Sequence, residues 1–456
     1  MLSINLAHAQ DITGQWNGIL SFSGGQLRVV FNIEKTGTGY TSTMDSPDQG
    51  AKGIPTTSTS FDGKTLKLTS SQMKMEFAGT YKNAESIEGT FIQSGQSMPL
   101  NLSRKMIEKA KVLRPQEPIK PYSYYTEEVT FKNPEADITL SGTLSLPDTK
   151  KAYPVVILIS GSGPQNRDEE LMGHKPFLVL ADQLTKNGIG VLRFDDRGTG
   201  ASKGEFKSAT TEDFATDVES AIKYLQTRKE VNKKLIGLIG HSEGGVIAPM
   251  VASKNNTVKY IVLLAGTGIP GMELLLMQKE QLEKAAGESD ESIAKGISMN
   301  KGAFEIVAST PSDKLEAALE NYYSEAAIAN PDIVPDGLSK ETYVKMASKQ
   351  LSSPWMKYFL TYDPKVALQQ VKCPVLAING DKDLQVPSKE NLQAIRSALE
   401  KGGNKQITIK EMPGLNHLFQ ECTTGLPEEY GKIEQTISPK ALEVVTAWLK
   451  TQTAKH

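Results

Sequence analysis

The stretch GLIGHSEGG, residues 237–245, places Ser242 between Gly240 and Gly244. An apolar run, KLIGLIG, leads into it, and the helix-compatible run GGVIAPMVASK follows. Gly-x-Ser-x-Gly is short, so its weight comes from this strand-then-helix setting. A sharp turn between the two elements strains the serine backbone and exposes its hydroxyl. Glycines flank it because a Cβ there would clash with the adjoining strand and helix. The helix N-terminus aims backbone N–H groups at developing negative charge. Ser242 is therefore the candidate nucleophile.

A serine hydroxyl is a weak nucleophile and needs a base, which in turn needs an orienting carboxylate. The chain has 5 histidines. His8 falls in the N-terminal segment and His456 is the last residue. His241 adjoins Ser242 and is expected to point away from its hydroxyl. His174 follows the apolar run VVILIS and is the rival base, read as a surface or packing residue. His417, in MPGLNHLF, follows the last predicted strand and is the expected base. Between nucleophile and base, AINGDKDLQVP supplies Asp381 and Asp383. Asp383 lies farther past the strand end and is the expected acid, while Asp381 shapes the turn. The tetrahedral intermediate also requires an oxyanion hole. The amide of Glu243 is one donor. The other comes from GSGPQNRDEE, where Pro164 lacks an N–H, leaving Ser162 or Gly163.

Around this centre the chain reads as α/β. The runs YPVVILIS, GIGVLRFD, KLIGLIG, KYIVLLAG, CPVLAING and QITIKEMP are continuously apolar, as strands buried on both faces are. Amphipathic segments such as FATDVESAIKYLQTR and ENLQAIRSALEKG alternate with them, which predicts a mostly parallel sheet. EEVTFKN and ITLSGTLSLP read as an antiparallel pair preceding it. One interval, 269–370, breaks the rhythm with helical runs and is expected to form a cap over the carboxyl edge of the sheet. Its apolar segments GMELLLMQKEQL and PWMKYFLTY nominate Met272, Met277, Trp355 and Phe359 as lining for a substrate pocket. In RFDDRGTGAS, Asp196 and Arg197 are expected to pair and brace a turn near the site.

Residues 10–103 differ in character. Short segments such as TLKLTS, KMEFAGTYK and SIEGTFIQ alternate with period two between Gly, Asn, Asp and Ser, predicting a small barrel or sandwich. Trp16 is expected in its core. Residues 104–121, basic and proline-containing, read as a linker to the hydrolytic part, 122–456. Ala7-His8-Ala9 resembles a signal-peptidase site, so residues 1–9 are read as a leader remnant. A periplasmic or secreted location is expected, cytoplasmic if the segment is no leader.

The chain has 456 residues, formal net charge -2 and no basic stripe, so nucleic acid and anionic membrane surfaces are poor partners. No segment reaches the roughly 20 consecutive apolar residues of a spanning helix. Cys373 and Cys422 do not make a disulfide framework and stand in no metal-binding spacing. No metal or organic cofactor is implied, and self-association stays open.

Taken together, GSGPQNRDE, RFDDRGTGAS, GHSEGG, NGDKDLQVP and GLNHLFQ resemble the α/β-hydrolase superfamily, in particular bacterial serine carboxylesterases with an extra N-terminal β-domain. The resemblance covers residues 122–456. It implies Ser242, Asp383 and His417 as triad, an eight-strand sheet, a cap, and a small-molecule ester substrate. The usual His-Gly before the oxyanion turn is Ser160-Gly161 here, so the choice between Ser162 and Gly163 stays open. A serine peptidase of prolyl-oligopeptidase type is the alternative, although about 90 residues cannot build a propeller. An aminopeptidase needs a carboxylate pair for the substrate amine, for which Glu169 and Glu170 are candidates. A non-catalytic binding protein acting through its β-module is the third class, and a complete triad argues against it.

Overall fold

The structure is a computed structural model and describes residues 10–22, 25–71, 73–93, 96–107, 113–335 and 338–454. Residues 1–9, expected to be a leader remnant, and His456 lie outside the described residues. Two compact units partition the chain. One holds the N-terminal part to Lys111 with Ala327–Tyr343, and the other holds Val112–Ala326 with Val344–His456.

The first unit carries one antiparallel sheet of nine strands: β1 (Gly14–Phe22), β2 (Gly25–Lys35), β3 (Tyr40–Ser46), β4 (Ala51–Pro55), β5 (Ser58–Phe61), β6 (Thr65–Ser70), β7 (Met75–Asn83), β8 (Ser86–Gln93) and β9 (Gln96–Ser103). Each pairs with its chain neighbour except β4 with β5, and β1 closes against β9. Alternate residues of β6 and β7 are buried, the period-two pattern of a sheet with one dry face. The sheet curls into a half-barrel, and the Ser42 hydroxyl on β3 meets Thr59 on β5 at 2.8 Å. Trp16, Phe31, Phe77 and Phe91 fill its core. Trp16 is fully buried, donates from Nε1 to Ile12 O at 2.8 Å, and carries the Arg104 guanidinium 3.9 Å above its ring.

The second unit is an α/β sheet of eight strands. They are β10 (Tyr125–Asn133), β11 (Ile138–Leu146), β12 (Tyr153–Ile159), β13 (Gly190–Phe194), β14 (Val231–His241), β15 (Val258–Leu264), β16 (Val375–Gly380) and β17 (Ile407–Met412). Their order is β10-β11-β13-β12-β14-β15-β16-β17. Pairings from β13 to β17 are parallel, while β10 and β11 are antiparallel to each other and β11 to β13. The continuous apolar runs follow from burial on both sides. Val155, Ile157 and Ile159 of β12 join one core with α2 (Thr211–Thr227), α3 (Gly244–Ala252) and α10 (Ser388–Lys401). Val156 and Leu158 face the opposite core with α1 (Pro176–Lys186) and α12 (Pro439–Thr453).

Between β15 and β16 lie the cap helices α4 (Gly271–Ala285), α5 (Asp290–Ser309), α6 (Ser312–Ala329), α7 (Lys340–Leu351), α8 (Pro354–Thr361) and α9 (Lys365–Leu368). The short α11 (Pro427–Tyr430) precedes α12. No helix among the described residues is long and apolar enough to cross a membrane.

The stretch 104–121 is anchored in its described parts. Arg104 belongs to the β-sheet core edge, as above. Arg114 donates to four carbonyls, those of Met172, Gly173, Gly431 and Ile433, at 2.9–3.2 Å. A guanidinium shared among four carbonyls ties this segment to the α/β unit as a structural part of it. Arg114→Ala is therefore expected to lower the stability of that unit by about 1–3 kcal/mol. Chemical-denaturant midpoints of variant and parent measure it.

Candidate active site

The elements that build the site all end on the carboxyl edge of the parallel sheet, where α/β proteins place their ligands. Ser242 follows β14 at φ 51°, a left-handed conformation that is strained for a residue with a side chain. Close packing fixes the turn. A Cβ at Gly240 would stand 1.9 Å from Gly244 O, and one at Gly244 would stand 2.2 Å from Ile159 O. The Ser242 amide donates to Leu264 O of β15 at 2.9 Å, which locks the elbow to the sheet.

Asp383 and His417 come from the turns after β16 and β17. His417 Nδ1 lies 2.8 Å from Asp383 Oδ2, with both side chains almost wholly buried. The other oxygen, Asp383 Oδ1, accepts the amides of Gln385 and Val386, each at 2.9 Å. A carboxylate held this way accepts the Nδ1 proton, leaving the Nε2 lone pair of His417 as the basic position. The expected hydrogen bond from Ser242 to His417 is not formed: the Ser242 hydroxyl has no hydrogen-bond partner among the described residues. Such bonds often tighten only when substrate binds.

The oxyanion segment follows β12. Gly161 lies against the nucleophile, and a Cβ there would be 3.2 Å from Ser242 Cβ. Its own amide is committed to Glu169 Oε1 at 2.7 Å. The amides of Ser162, Gly163 and Glu243 donate to no other described residue. Gly163 adopts φ 94°, which its missing side chain permits.

A cavity of about 500 Å³ opens at Ser242 and Ser162. Leu274, Leu275, Gln278, Lys279 and Leu282 of α4 form one wall, and Trp355 and Phe359 of α8 form another. These two rings stack with centroids 5.1 Å apart. Of the four expected lining residues, Trp355 and Phe359 line it, whereas Met272 and Met277 do not. At 100° per residue, the lining positions of α4 make a single stripe, and Met277 falls outside its Leu274 edge. There it packs with Ile269, Leu274, Phe359 and Val386.

Several polar pairings differ from the sequence expectation. Asp196 and Arg197 do not pair with each other. Arg197 Nε meets Asp217 Oδ2 at 2.7 Å, while Asp196 accepts Ser160 Oγ at 2.8 Å and the Gln165 amide at 2.9 Å. Adjacent residues of an extended turn point to opposite sides, so one faces α2 and the other the oxyanion segment. Of the two roles expected for His174, surface or packing, the buried ring takes the second, bonding to Thr436 and the Tyr430 carbonyl. Glu169 and Glu170 form no amine-binding pair: Glu169 is buried against His241 at 2.9 Å, and Glu170 is exposed. Asp381 accepts the Gly414 amide at 2.6 Å and so joins the turns after β16 and β17. The thiols of Cys373 and Cys422 are unpaired, and burial pushes the Cys373 thiol up to about 12.

Two carboxyls have partners that the sequence reading did not give them. Glu243 Oε1 accepts Thr211 Oγ1 at 2.7 Å and the Trp355 indole N–H at 2.8 Å, so the residue after the nucleophile tethers the cap helix α8. Burial pushes its carboxyl up, against the pull of these two donors. The carboxyl of Asp196 is raised to about 8, chiefly by desolvation, with Glu243 and Glu169 adding repulsion. Nothing in the local sequence signals either, because the partners lie far away along the chain.

A model of the α/β-hydrolase fold family matches residues 154–419, and the chain belongs to that family. Esterase EstD of Thermotoga maritima is 26% identical over 333 residues, 71% of this chain and 69% of the relative. An uncharacterized 31.7 kDa protein of Escherichia coli, from the traX-finO intergenic region, is 24% identical over 57% of this chain and 82% of its own. The esterase Pf2001 of Pyrococcus furiosus aligns at TM-score 0.45 and 16% identity, covering 76% of this chain and 100% of that one.

The raised Asp196 carboxyl makes a signed prediction. Between the unfolded value near 3.8 and the folded value of about 8, the folded state holds the extra proton. Its stability contribution is therefore full in acid and is lost as pH rises through that window, by up to about 1.4 kcal/mol per pH unit. Asp196→Asn should flatten the pH dependence of unfolding free energy between those limits, as read from denaturant titrations at several pH values.

Proposed function

We propose that this chain is a serine hydrolase that cleaves carboxylic esters through Ser242, His417 and Asp383. The single observation that carries the reading is the buried His417–Asp383 hydrogen bond, on the same sheet edge as a serine in a left-handed strand-to-helix turn. Membership of the α/β-hydrolase fold family and the likeness to esterase EstD support it.

In this reading an ester carbonyl enters the cavity beside Ser242. His417 Nε2 takes the hydroxyl proton as Oγ attacks, and Asp383 stabilises the imidazolium through Nδ1. The amides of Glu243 and of Ser162 or Gly163 hold the oxyanion, a contribution worth roughly 3–4 kcal/mol per donor. His417 then gives its proton to the leaving alcohol, and the acyl group remains on Ser242. Water activated by His417 releases the acid.

Ser242→Ala should abolish turnover of p-nitrophenyl esters and labelling by a fluorophosphonate probe while leaving the melting temperature close to that of the parent. A variant that keeps most of its esterase activity sinks the assignment. The cavity makes a second, separable prediction. Phe359→Ala should shift the acyl-chain preference of folded protein, because its ring lines the cavity. Met277→Ala should leave that preference unchanged, because its side chain does not. A panel of p-nitrophenyl esters of increasing length measures both.

A further inference from the structure

His241, the residue before the nucleophile, has both ring nitrogens engaged. Nδ1 lies 2.9 Å from Glu169 Oε1, and Nε2 lies 3.0 Å from the carbonyl oxygen of His417. A carbonyl only accepts, so Nε2 carries a proton. Glu169 Oε1 also accepts the Gly161 amide at 2.7 Å, which marks that oxygen as an acceptor and Nδ1 as a second donor. Both ring nitrogens thus face oxygens placed to accept, the arrangement that suits a doubly protonated ring, and both side chains are below a tenth exposed. Phe177, Leu264, Leu418 and Phe419 supply apolar neighbours beside the pair.

From this geometry we infer that Glu169 and His241 are positioning residues for the hydrolytic reaction, an inference that rests on the serine-hydrolase reading above. One chain of hydrogen bonds runs from the Gly161 amide through Glu169 and the His241 ring to the His417 carbonyl. Its ends are the segment that carries the oxyanion donors and the segment that carries the base. Its middle is covalently next to Ser242. The pair fixes the spacing of these three parts, which belong to the turns after β12, β14 and β17. It also occupies the Gly161 amide, so that oxyanion binding falls to Ser162 or Gly163. Glu169 adopts φ 51°, a strained setting for a residue with a side chain, and that setting brings its carboxylate to both donors.

The charged state follows from the surroundings. Burial pushes the ring's proton affinity down, but the Glu169 carboxylate outweighs it, helped by the His417 carbonyl and by Asp383, so the net shift is upward. The titratable groups facing the ring are Glu169, His417 and Asp383, and Phe177, Leu264, Leu418 and Phe419 are apolar neighbours.

The test uses the full chain on p-nitrophenyl acetate from neutral to alkaline pH, with kcat normalised to fluorophosphonate-reactive sites. Glu169→Gln removes the charge, and its neutral amide oxygen, though able to accept both donors, holds them more weakly than a carboxylate. A folded Glu169→Gln protein is expected to lose about 10- to 100-fold in kcat through misplacement of the reacting groups. Its KM should stay within about threefold, since uniform binding is untouched. Its alkaline limb should move to lower pH, because an imidazolium without its carboxylate gives up its proton sooner. A role confined to folding would lower the melting temperature without moving that limb. In the parent protein, imidazole ¹⁵N shifts should report His241 doubly protonated at neutral pH, a readout that needs no variant. A neutral His241 ring overturns the inference. So does a folded Glu169→Gln protein with kcat within about twofold of the parent and an unmoved limb. If instead the parent fails to label at Ser242, the serine-hydrolase reading falls and takes the positioning role with it.

Discussion

The close approach of β14 to α3 at Ser242 is the constraint on which the site depends. No side chain fits at Gly240 or Gly244, where backbone atoms of the next element already occupy the space. The chain is thereby forced through a left-handed residue, and that residue is the serine. A hydroxyl displayed in this way stands clear of the sheet edge, with the first amides of α3 beside it. The strain is sustained because the surrounding sheet over-determines the turn: Leu264 O on β15 holds the Ser242 amide, and Ile159 on β12 packs against the other side.

Around that turn the protein sets four carboxyls to different tasks through their environments. Asp383 receives two backbone amides and the His417 ring. Glu169 receives one amide and the His241 ring. Glu243 receives the Thr211 hydroxyl and the Trp355 indole, and Asp196 receives the Ser160 hydroxyl and one amide. Those facing an imidazole have a partner that can carry positive charge. Those facing only neutral donors are pushed up by desolvation, Asp196 to about 8. Histidine pairing on one side and neutral donors on the other thus give neighbouring carboxyls different surroundings within a small region.

The Trp355–Glu243 bond adds a mechanical link between cap and nucleophile. Glu243, the residue after Ser242, holds by its side chain a ring lining the cavity. Movement of α8 therefore acts directly on the residue next to Ser242. The stacked Trp355 and Phe359 rings give that wall its stiffness.

The sequence by itself determined the six apolar strands from β12 to β17, the antiparallel pair before them, and the serine turn. Each is a local pattern: burial on both faces writes a continuous apolar run, and a crowded turn writes glycines at fixed spacing. It also nominated Asp383 and His417, because each follows a recognisable strand end. Strands β4 and β5 were not singled out, since short edge segments carry little apolar alternation, and neither was the central β1, whose pattern Gly14 and Gly18 interrupt. Only the tertiary structure decided the partners of polar groups. Arg197 turned to Asp217, Asp196 to Ser160, and Glu169 to His241 across 72 residues. It likewise decided that Met277 faces away from the cavity, through the rotation of α4. Hydrogen bonds and charges choose among every group that folding brings within a few ångströms, and sequence order does not record which those are.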